Sequence, residues 1–267
     1  MPAIQPARLK QQVSDLAEKY NQPLLFVREL HALLHLYTDH THRSGQSGEP
    51  SLLMKAYKAP PPVMRQVWYA LTPIIKQHPT VVLPLCDALW AESNYDMQLL
   101  ASRLLGQLPV NPPDPVVERL QSWIGKGIEK RLLDGVLMYG LARLQQDAPD
   151  QLQELISAWL SSSNLHFQRA GLRALLPMIN RSGSENLPVI FRLLTPYLRV
   201  APSRLRPDIH IVLTTLAQYS PAETAFLLRQ NLSAPNNPDT PWIIRQVLDE
   251  FPEETRIGLR NAMKGIS

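Results

Sequence analysis

The sequence lacks the features that most directly assign a compartment. Its single cysteine, Cys86, excludes an intramolecular disulfide and favours a reducing, cytoplasmic location. Cys86 lies in the apolar run VVLPLCDALW, so we expect buried packing rather than a nucleophile. No apolar run approaches the roughly 18 residues of a membrane span, and the N-terminal segment MPAIQPARLKQQ lacks the apolar core of a secretion signal. We therefore expect no membrane partner.

Recognisable catalytic and cofactor motifs are also missing. There is neither a Gly-rich phosphate loop nor an identifiable arrangement of Ser, His and Asp. The segment HALLHLYTDHTH holds His31, His35, His40 and His42, of which the first two lie one helical turn apart and could reach one metal ion. Ala32 stands where a metalloprotease motif has glutamate, and histidines near a helix end also suit its dipole. We expect no metal site and no cofactor.

Positive charge is concentrated in one part of the chain. The net charge is only +4, but residues 160–210 contain seven arginines, no lysine and two acids, Glu185 and Asp208. Residues 211–267 hold five basic and six acidic side chains. A local basic field suggests an anionic partner, nucleic acid first. The alternative is chance clustering on a solvated surface.

Apolar residues recur at helical spacing throughout, as in LQELISAWL and VIFRLLTPYL, and no segment alternates with the period of a strand. The pattern predicts an all-α chain. First helices of successive pairs should begin about 35 residues apart, which is typical of an α-solenoid of HEAT or armadillo type. We expect a right-handed superhelix with a concave basic face. The predicted starts are near Thr80, Pro115, Asp150, Glu185 and Pro221.

The domain prediction follows from this repeat. Residues 80–267 should form one continuous solenoid, and residues 1–79 a helical cap with a polar flexible loop at 38–50. Trp90, Trp123 and Trp159 recur at the ends of first helices. We interpret them as core between repeats rather than as platforms for stacked bases.

One motif occurs twice, about 70 residues apart. NYDMQLLASRLLG and NLHFQRAGLRALL share Asn, Gln, Arg and Leu at the same offsets, so Arg173 corresponds to Arg103. The second copy has Arg169 where the first has Leu99. With a period of about 35, a row should line the second helices, which usually form the concave face. Its members are Leu99, Asp134, Arg169 and Arg204.

A second basic group lies in KGIEKRLLDGVL. Lys126, Lys130 and Arg131 fall within two helical turns of Asp134. Lys130 and Asp134 are spaced for a surface ion pair. The functional alternative is an acid set among cations that bind phosphate.

These residues resemble a known family, the HEAT-like-repeat DNA glycosylases of DNA alkylation repair. The resemblance covers about residues 60–250, with WLSSSNLHFQRAGL and ALWAESNYDMQLLASRLL as the most similar stretches. It implies a concave basic surface that grips the duplex backbone. It also implies excision of N-alkylated purines. In that reaction a carboxylate stabilises an oxocarbenium-like sugar, and neighbouring aromatic rings hold the cationic base.

Site residues follow from the resemblance position by position. Asp134 falls at the family's carboxylate and is the candidate catalytic residue, and Arg169 falls at a phosphate-binding arginine. The two aromatic positions hold Lys130 and Ile211 instead, so we expect weak or absent excision. The alternative is a non-enzymatic scaffold that binds another protein on the concave face. The predicted contacts to duplex DNA are Lys126, Lys130, Arg131, Arg169, Arg173, Arg204 and Arg206.

Overall fold

The computed structural model describes residues 5–38, 54–57, 59–109, 115–181 and 186–264. These residues form helices joined by short turns and contain no strand, only an isolated bridge between Lys55 and Asn94. The all-α prediction is therefore confirmed. None of the described helices is long and apolar enough to cross a membrane. The cytoplasmic location stays a prediction.

By its internal contacts the chain divides into two compact units, which are described separately. Unit 1 is Met1–Ala148 and unit 2 is Pro149–Ser267. In unit 1 the helices are α1 Pro6–Ala17, α2 Pro23–Tyr37, α3 Pro61–Gln77, α4 Pro79–Ala91, α5 Tyr95–Leu105, α6 Pro115–Gly125, α7 Lys130–Gly140 and α8 Ala142–Asp147. In unit 2 they are α9 Pro149–Leu160, α10 Leu165–Arg181, α11 Leu187–Arg199, α12 Arg206–Tyr219, α13 Pro221–Leu232, α14 Thr240–Val247 and α15 Glu253–Lys264.

The predicted starts of the first helices agree with the structure to within two residues. Most of these helices begin at a proline, whose fixed φ suits the first turn and whose missing N–H is not needed there. The HEAT or armadillo assignment, the superhelix and the cap boundary at residue 79 stay predictions. The predicted loop at 38–50 lies outside the described residues except for Thr38. The observed starts are Pro79, Pro115, Pro149, Leu187 and Pro221.

The two copies of the repeated motif share helix-capping asparagines. Asn94 Oδ1 accepts from the backbone N–H of Asp96 at 3.0 Å, and Asn164 Oδ1 accepts from that of His166 at 2.8 Å. Each asparagine therefore satisfies an N–H at the start of α5 or α10 that has no partner within the helix. The shared asparagine is a structural part of the motif.

The core lies between helices that approach closely. A Cβ added at Gly106, just after α5, would lie 1.8 Å from the carbonyl oxygen of Tyr139 in α7. Only a glycine allows this approach. Cys86 is fully buried, and that burial raises the pKa of its thiol, so its expected packing role is confirmed.

The three recurring tryptophans pack as first-helix core residues, with one qualification. Trp123 and Trp159 are buried in unit 1 and unit 2 respectively. Trp90 is half-buried and stacks on Trp123, with ring centroids 4.0 Å apart and planes within 6°. The expected packing role is confirmed for Trp123 and Trp159, and Trp90 extends that contact towards the surface.

Candidate nucleic-acid interface

In unit 2, α10 carries two arginines that share one carboxylate. Arg169 Nε donates to Asp208 Oδ2 at 3.0 Å, and Arg173 Nη1 donates to Asp208 Oδ1 at 3.0 Å. Asp208 lies in the first turn of α12 and is 3% exposed. Each carboxylate oxygen thus accepts a charge-assisted bond from a different guanidinium. We call these three side chains the Asp208 cluster.

Arg173 differs from the other predicted DNA contacts because it is buried. It is 2% exposed and is among the largest fully buried side chains of the chain. A buried arginine must be paired, and here the pairing is supplied by Asp208. The core encloses its guanidinium, so we do not include Arg173 among the DNA contacts proposed below. It supports the packing of α10 against α12 instead.

Arg169 differs from Arg173 because its side chain reaches the surface. The side chain is 35% exposed. Besides its bond to Asp208, its Nη2 donates to the carbonyl oxygen of Arg204 at 3.4 Å. Arg204 is itself exposed and lies in a short 3₁₀ turn at Ser203–Leu205, just before α12. Arg169 and Arg204 were predicted as neighbours in a row, and within unit 2 they are in contact.

Arg206, the first residue of α12, is held on three sides. Its Nη2 donates to Asp239 Oδ1 at 3.2 Å and its Nε to the carbonyl oxygen of Ala201 at 3.2 Å. The guanidinium carbon lies 4.3 Å from the centroid of the Trp242 ring. This geometry is a cation–π contact. The side chain is 38% exposed, so a fixed cation lies at the surface of unit 2.

In unit 1, the predicted cations and Asp134 lie at the start of α7. Lys126 precedes the helix in a turn where Gly127 has φ 78°, a left-handed conformation that favours glycine. Lys126, Lys130 and Arg131 are exposed, whereas Asp134 is half-buried. The roles of these three cations and of Asp134 stay predictions.

The aromatic surroundings of this segment differ from those that the resemblance implies. Lys130 is exposed, and Ile211, which lies in unit 2, is half-buried in α12. The ring near the unit 1 cations is that of Tyr95, whose centroid lies 5.9 Å from the guanidinium carbon of Arg131. Burial raises the pKa of Tyr95, which keeps the phenol neutral. This ring already faces a cation of the chain itself.

The histidine segment forms no metal centre among the described residues. Nδ1 of His31 lies 2.5 Å from Tyr57 Oη, and Nε2 lies 3.1 Å from Glu92 Oε2. In the parts of the chain that the structure describes, no group of three or more His, Cys, Asp or Glu side chains could hold a metal ion. His40 and His42 lie outside the described residues. His31 instead connects α2 to the end of α4 and to the segment around Tyr57.

Sequence reasoning missed the partners of the arginines. Asp208 was noted only as one of two acids in a basic stretch, and Asp239 and Trp242 were not singled out. The repeat itself carried a usable signal, because Asp208 follows Arg173 by one period of about 35 residues. Charged or aromatic residues one period apart on second helices are thus expected to be neighbours.

Comparison with known proteins adds the family. A family model described as DNA alkylation repair enzyme matches residues 56–247. No curated protein matches the chain, and no solved structure does. The matched range contains the Asp208 cluster, Arg204, Arg206 and the α7 segment with Asp134, and it covers most of the chain. The chain therefore belongs to the DNA alkylation repair enzyme family.

Proposed function

We propose that the protein binds duplex DNA through its phosphodiester backbone. The observation that carries this proposal is Arg169, a surface cation whose guanidinium is fixed by the buried carboxylate of Asp208. A cation held in place can bind a phosphate with little loss of side-chain freedom. The family match supports DNA as the partner. The proposed contacts are Arg169, Arg204 and Arg206 in unit 2, and Lys126, Lys130 and Arg131 in unit 1.

Contacts of this kind give affinity without sequence preference. Arginine and lysine bound to phosphates read no base edges, and each releases counterions from the duplex. Six such contacts predict a slope of about −5 in log affinity against log salt, which is a loss of about 10³ between about 50 and 200 mM. Strong salt dependence and indifference to sequence are therefore the expected properties.

We propose that excision of alkylated bases is weak or absent, with Asp134 as its only candidate catalytic residue. A carboxylate at this position would stabilise the positive charge that develops on the sugar as the glycosidic bond breaks. Lys130 lies one turn before Asp134 on α7, where the family resemblance expects an aromatic ring. A lysine there repels a cationic base and also lowers the effective negative charge of the neighbouring acid. Both effects oppose excision.

Binding is tested by fluorescence anisotropy with a short labelled duplex over a range of salt concentrations. We expect Arg169→Ala and Arg204→Ala each to weaken binding and to reduce the magnitude of the salt slope by about one. Arg192→Ala is the matched control, because Arg192 is an exposed arginine of unit 2 on the first helix α11. Immeasurable affinity at low salt, or equal losses for Arg169→Ala and Arg192→Ala, would contradict the proposal.

Excision is tested separately, by the release of methylated base from alkylated DNA. We expect little release by the wild-type protein and less by Asp134→Asn, which keeps the shape of the side chain but removes its charge. Rapid release would contradict weak activity. Equal, measurable release by both proteins would remove Asp134 from the reaction.

A protein-binding scaffold is the second candidate, and one feature of unit 1 favours it. A largely apolar groove of about 480 Å³ lies between α1 and α3, with Val13, Ala17 and Ile74 in its lining. Tyr69, which also lines the groove, is 59% exposed. An apolar groove beside an exposed aromatic ring is a candidate surface for a protein partner. Absence of DNA binding at low salt would favour this candidate over the first.

A further inference from the structure

The Asp208 cluster has an uneven distribution of charge between core and surface. It contains two cations and one anion, so its formal net charge is +1. Arg173 and Asp208 are both buried, and a buried ion must be compensated by a partner of opposite charge. The buried pair is therefore neutral as a unit. The surplus positive charge belongs to Arg169, whose side chain is the exposed member.

The contacts of Arg169 also fix the orientation of its guanidinium. A guanidinium carries five N–H donors in one plane. Asp208 takes the Nε–H, and the carbonyl oxygen of Arg204 accepts from Nη2. The bond to Asp208 at 3.0 Å and the longer contact to Arg204 at 3.4 Å together restrict the orientation of the guanidinium plane. Within the described part of the chain, Nη1 takes part in neither bond and remains as a donor for an anion.

Asp208 in turn cannot move without breaking its bond to Arg173. Its other oxygen accepts from Arg173 Nη1, and that guanidinium is enclosed by the core. The buried Arg173 therefore holds Asp208 in place, and Asp208 in turn holds Arg169. Each step is a charge-assisted hydrogen bond, a kind that is stronger than a neutral one.

We propose that Asp208 is a positioning residue for DNA binding, which holds Arg169 in the orientation that accepts a backbone phosphate, with Arg173 as its buried anchor. The proposal rests on the proposed function, because it requires that Arg169 contact phosphate. It adds to that function a residue that itself touches no DNA. It also explains why the motif carries Arg173 and Arg169 on one helix, one buried and one exposed.

A competing effect of Asp208 has the opposite sign. A carboxylate beside Arg169 also repels a phosphate and reduces the net charge that the phosphate meets. If repulsion dominates, removing the charge of Asp208 should tighten DNA binding. If positioning dominates, the same change should weaken binding, because the freed arginine must be immobilised again. The cost of immobilising one flexible side chain corresponds to about a two- to tenfold change in affinity.

The experiment is a double-mutant cycle on duplex DNA at low salt. Asp208→Asn is introduced into the wild-type protein and into Arg169→Ala, and dissociation constants and salt slopes are measured for all four proteins. We expect Asp208→Asn to weaken binding about two- to tenfold in the wild type and to have no further effect in Arg169→Ala. The salt slope should stay near the wild-type value in Asp208→Asn, because the cation is still present, and fall by about one in Arg169→Ala.

Two outcomes would overturn the proposal while leaving DNA binding intact. Tighter binding by Asp208→Asn would show that repulsion dominates. An equal loss in both backgrounds would show that Asp208 only supports the fold. If Arg169→Ala binds as the wild type does, or if the wild type does not bind, the phosphate contact itself fails and the proposal falls with it. The failure of the proposal and that of the proposed function are thus distinguishable.

A second variant covers the case in which Asp208→Asn does not fold. That change removes a carboxylate that pairs with the buried Arg173, which is costly. The paired change Arg173→Met with Asp208→Asn removes both buried charges together, and circular dichroism reports whether the fold is kept. In this variant we expect DNA binding to weaken as much as in Asp208→Asn alone. When Arg169 is also replaced by alanine, the paired change should cause no further loss of affinity. Wild-type affinity in the paired variant would overturn the positioning role.

Discussion

The burial of Arg173 makes a prediction that separates its role from that of the exposed arginines. Arg173→Met replaces the arginine with an uncharged side chain of similar length, and Asp208 keeps Arg169 as a partner. Breaking a buried ion pair costs about 3–5 kcal/mol, mainly because the remaining charge stays buried. Arg169 still compensates part of the charge of Asp208, so we expect the lower end, about 3 kcal/mol. For a chain of this size, that loss lowers Tm by about 6–12 °C.

The assay combines thermal unfolding with DNA binding, and Arg204→Met is the matched control. Arg204 is exposed, so its replacement should change the free energy of unfolding by no more than about 0.5 kcal/mol. The same replacement should reduce the salt slope of DNA binding by about one. We expect the reverse for Arg173→Met, in which Tm falls and the salt slope holds. A Tm within about 2 °C of the wild type, together with a reduced slope, would restore Arg173 as a phosphate contact and refute this reasoning.

Four further substitutions test other parts of the structure. Lys130→Trp should raise the release of methylated base about two- to thirtyfold, because an aromatic ring replaces a cation that repels the cationic base. Unchanged release would mean that the missing ring is not the reason for weak activity. Burial raises the pKa of the Cys86 thiol in the folded protein, so the unfolded state loses this proton at lower pH than the folded state does. The free energy of unfolding should therefore fall as the pH rises above about 9. Denaturant titrations should show that Cys86→Ala removes the contribution of this thiol to the fall. Gly106→Ala should destabilise by more than about 3 kcal/mol because its Cβ meets backbone. Gly135→Ala should cost less, because its Cβ meets the end of a leucine side chain, and equal urea midpoints would contradict this difference.

The helices could be predicted because their signals are local. Proline at the first position, asparagine at the cap and apolar residues at helical spacing each act within a few residues of the helix that they specify. The starts of α6 and α13 at Pro115 and Pro221 agree with the sequence prediction. Such signals do not determine whether the helix pairs stack as a regular repeat, since that depends on how successive pairs pack.

The site could be predicted only in part because its decisive contacts are not local. Arg169 and Arg173 lie one turn apart on the same helix and look equivalent in sequence. Both donate to Asp208, which comes from another helix, but the core encloses the Arg173 guanidinium, whereas the Arg169 side chain reaches the surface. Burial of an arginine therefore depends on a partner that helical periodicity alone does not identify.

The two copies of the repeated motif also differ in the contacts that their corresponding residues make. At the position of Arg173, the first copy has Arg103, whose Nη2 donates to the Tyr139 hydroxyl at 2.7 Å. This partner is a hydroxyl rather than a carboxylate, and Arg103 Nε is buried without a hydrogen-bond partner among the described residues. At the position of Arg169 the first copy has Leu99, whose Cδ1 would lie 2.4 Å from a Cβ added at Gly135. The first copy thus uses this position for helix packing and the second uses it for a cation.

This contrast predicts unequal contributions from the two groups of proposed DNA contacts. Lys126 and Lys130 are exposed lysines, and a lysine that binds phosphate loses up to about 2 kcal/mol of side-chain entropy. Arg169 is already held by Asp208, so it loses less on binding. Alanine at Lys126 or at Arg169 should reduce the salt slope equally, by about one, because each removes one charge. At a fixed salt concentration, however, Arg169→Ala should lose more affinity, and equal losses would mean that holding the guanidinium in place gives no advantage in binding.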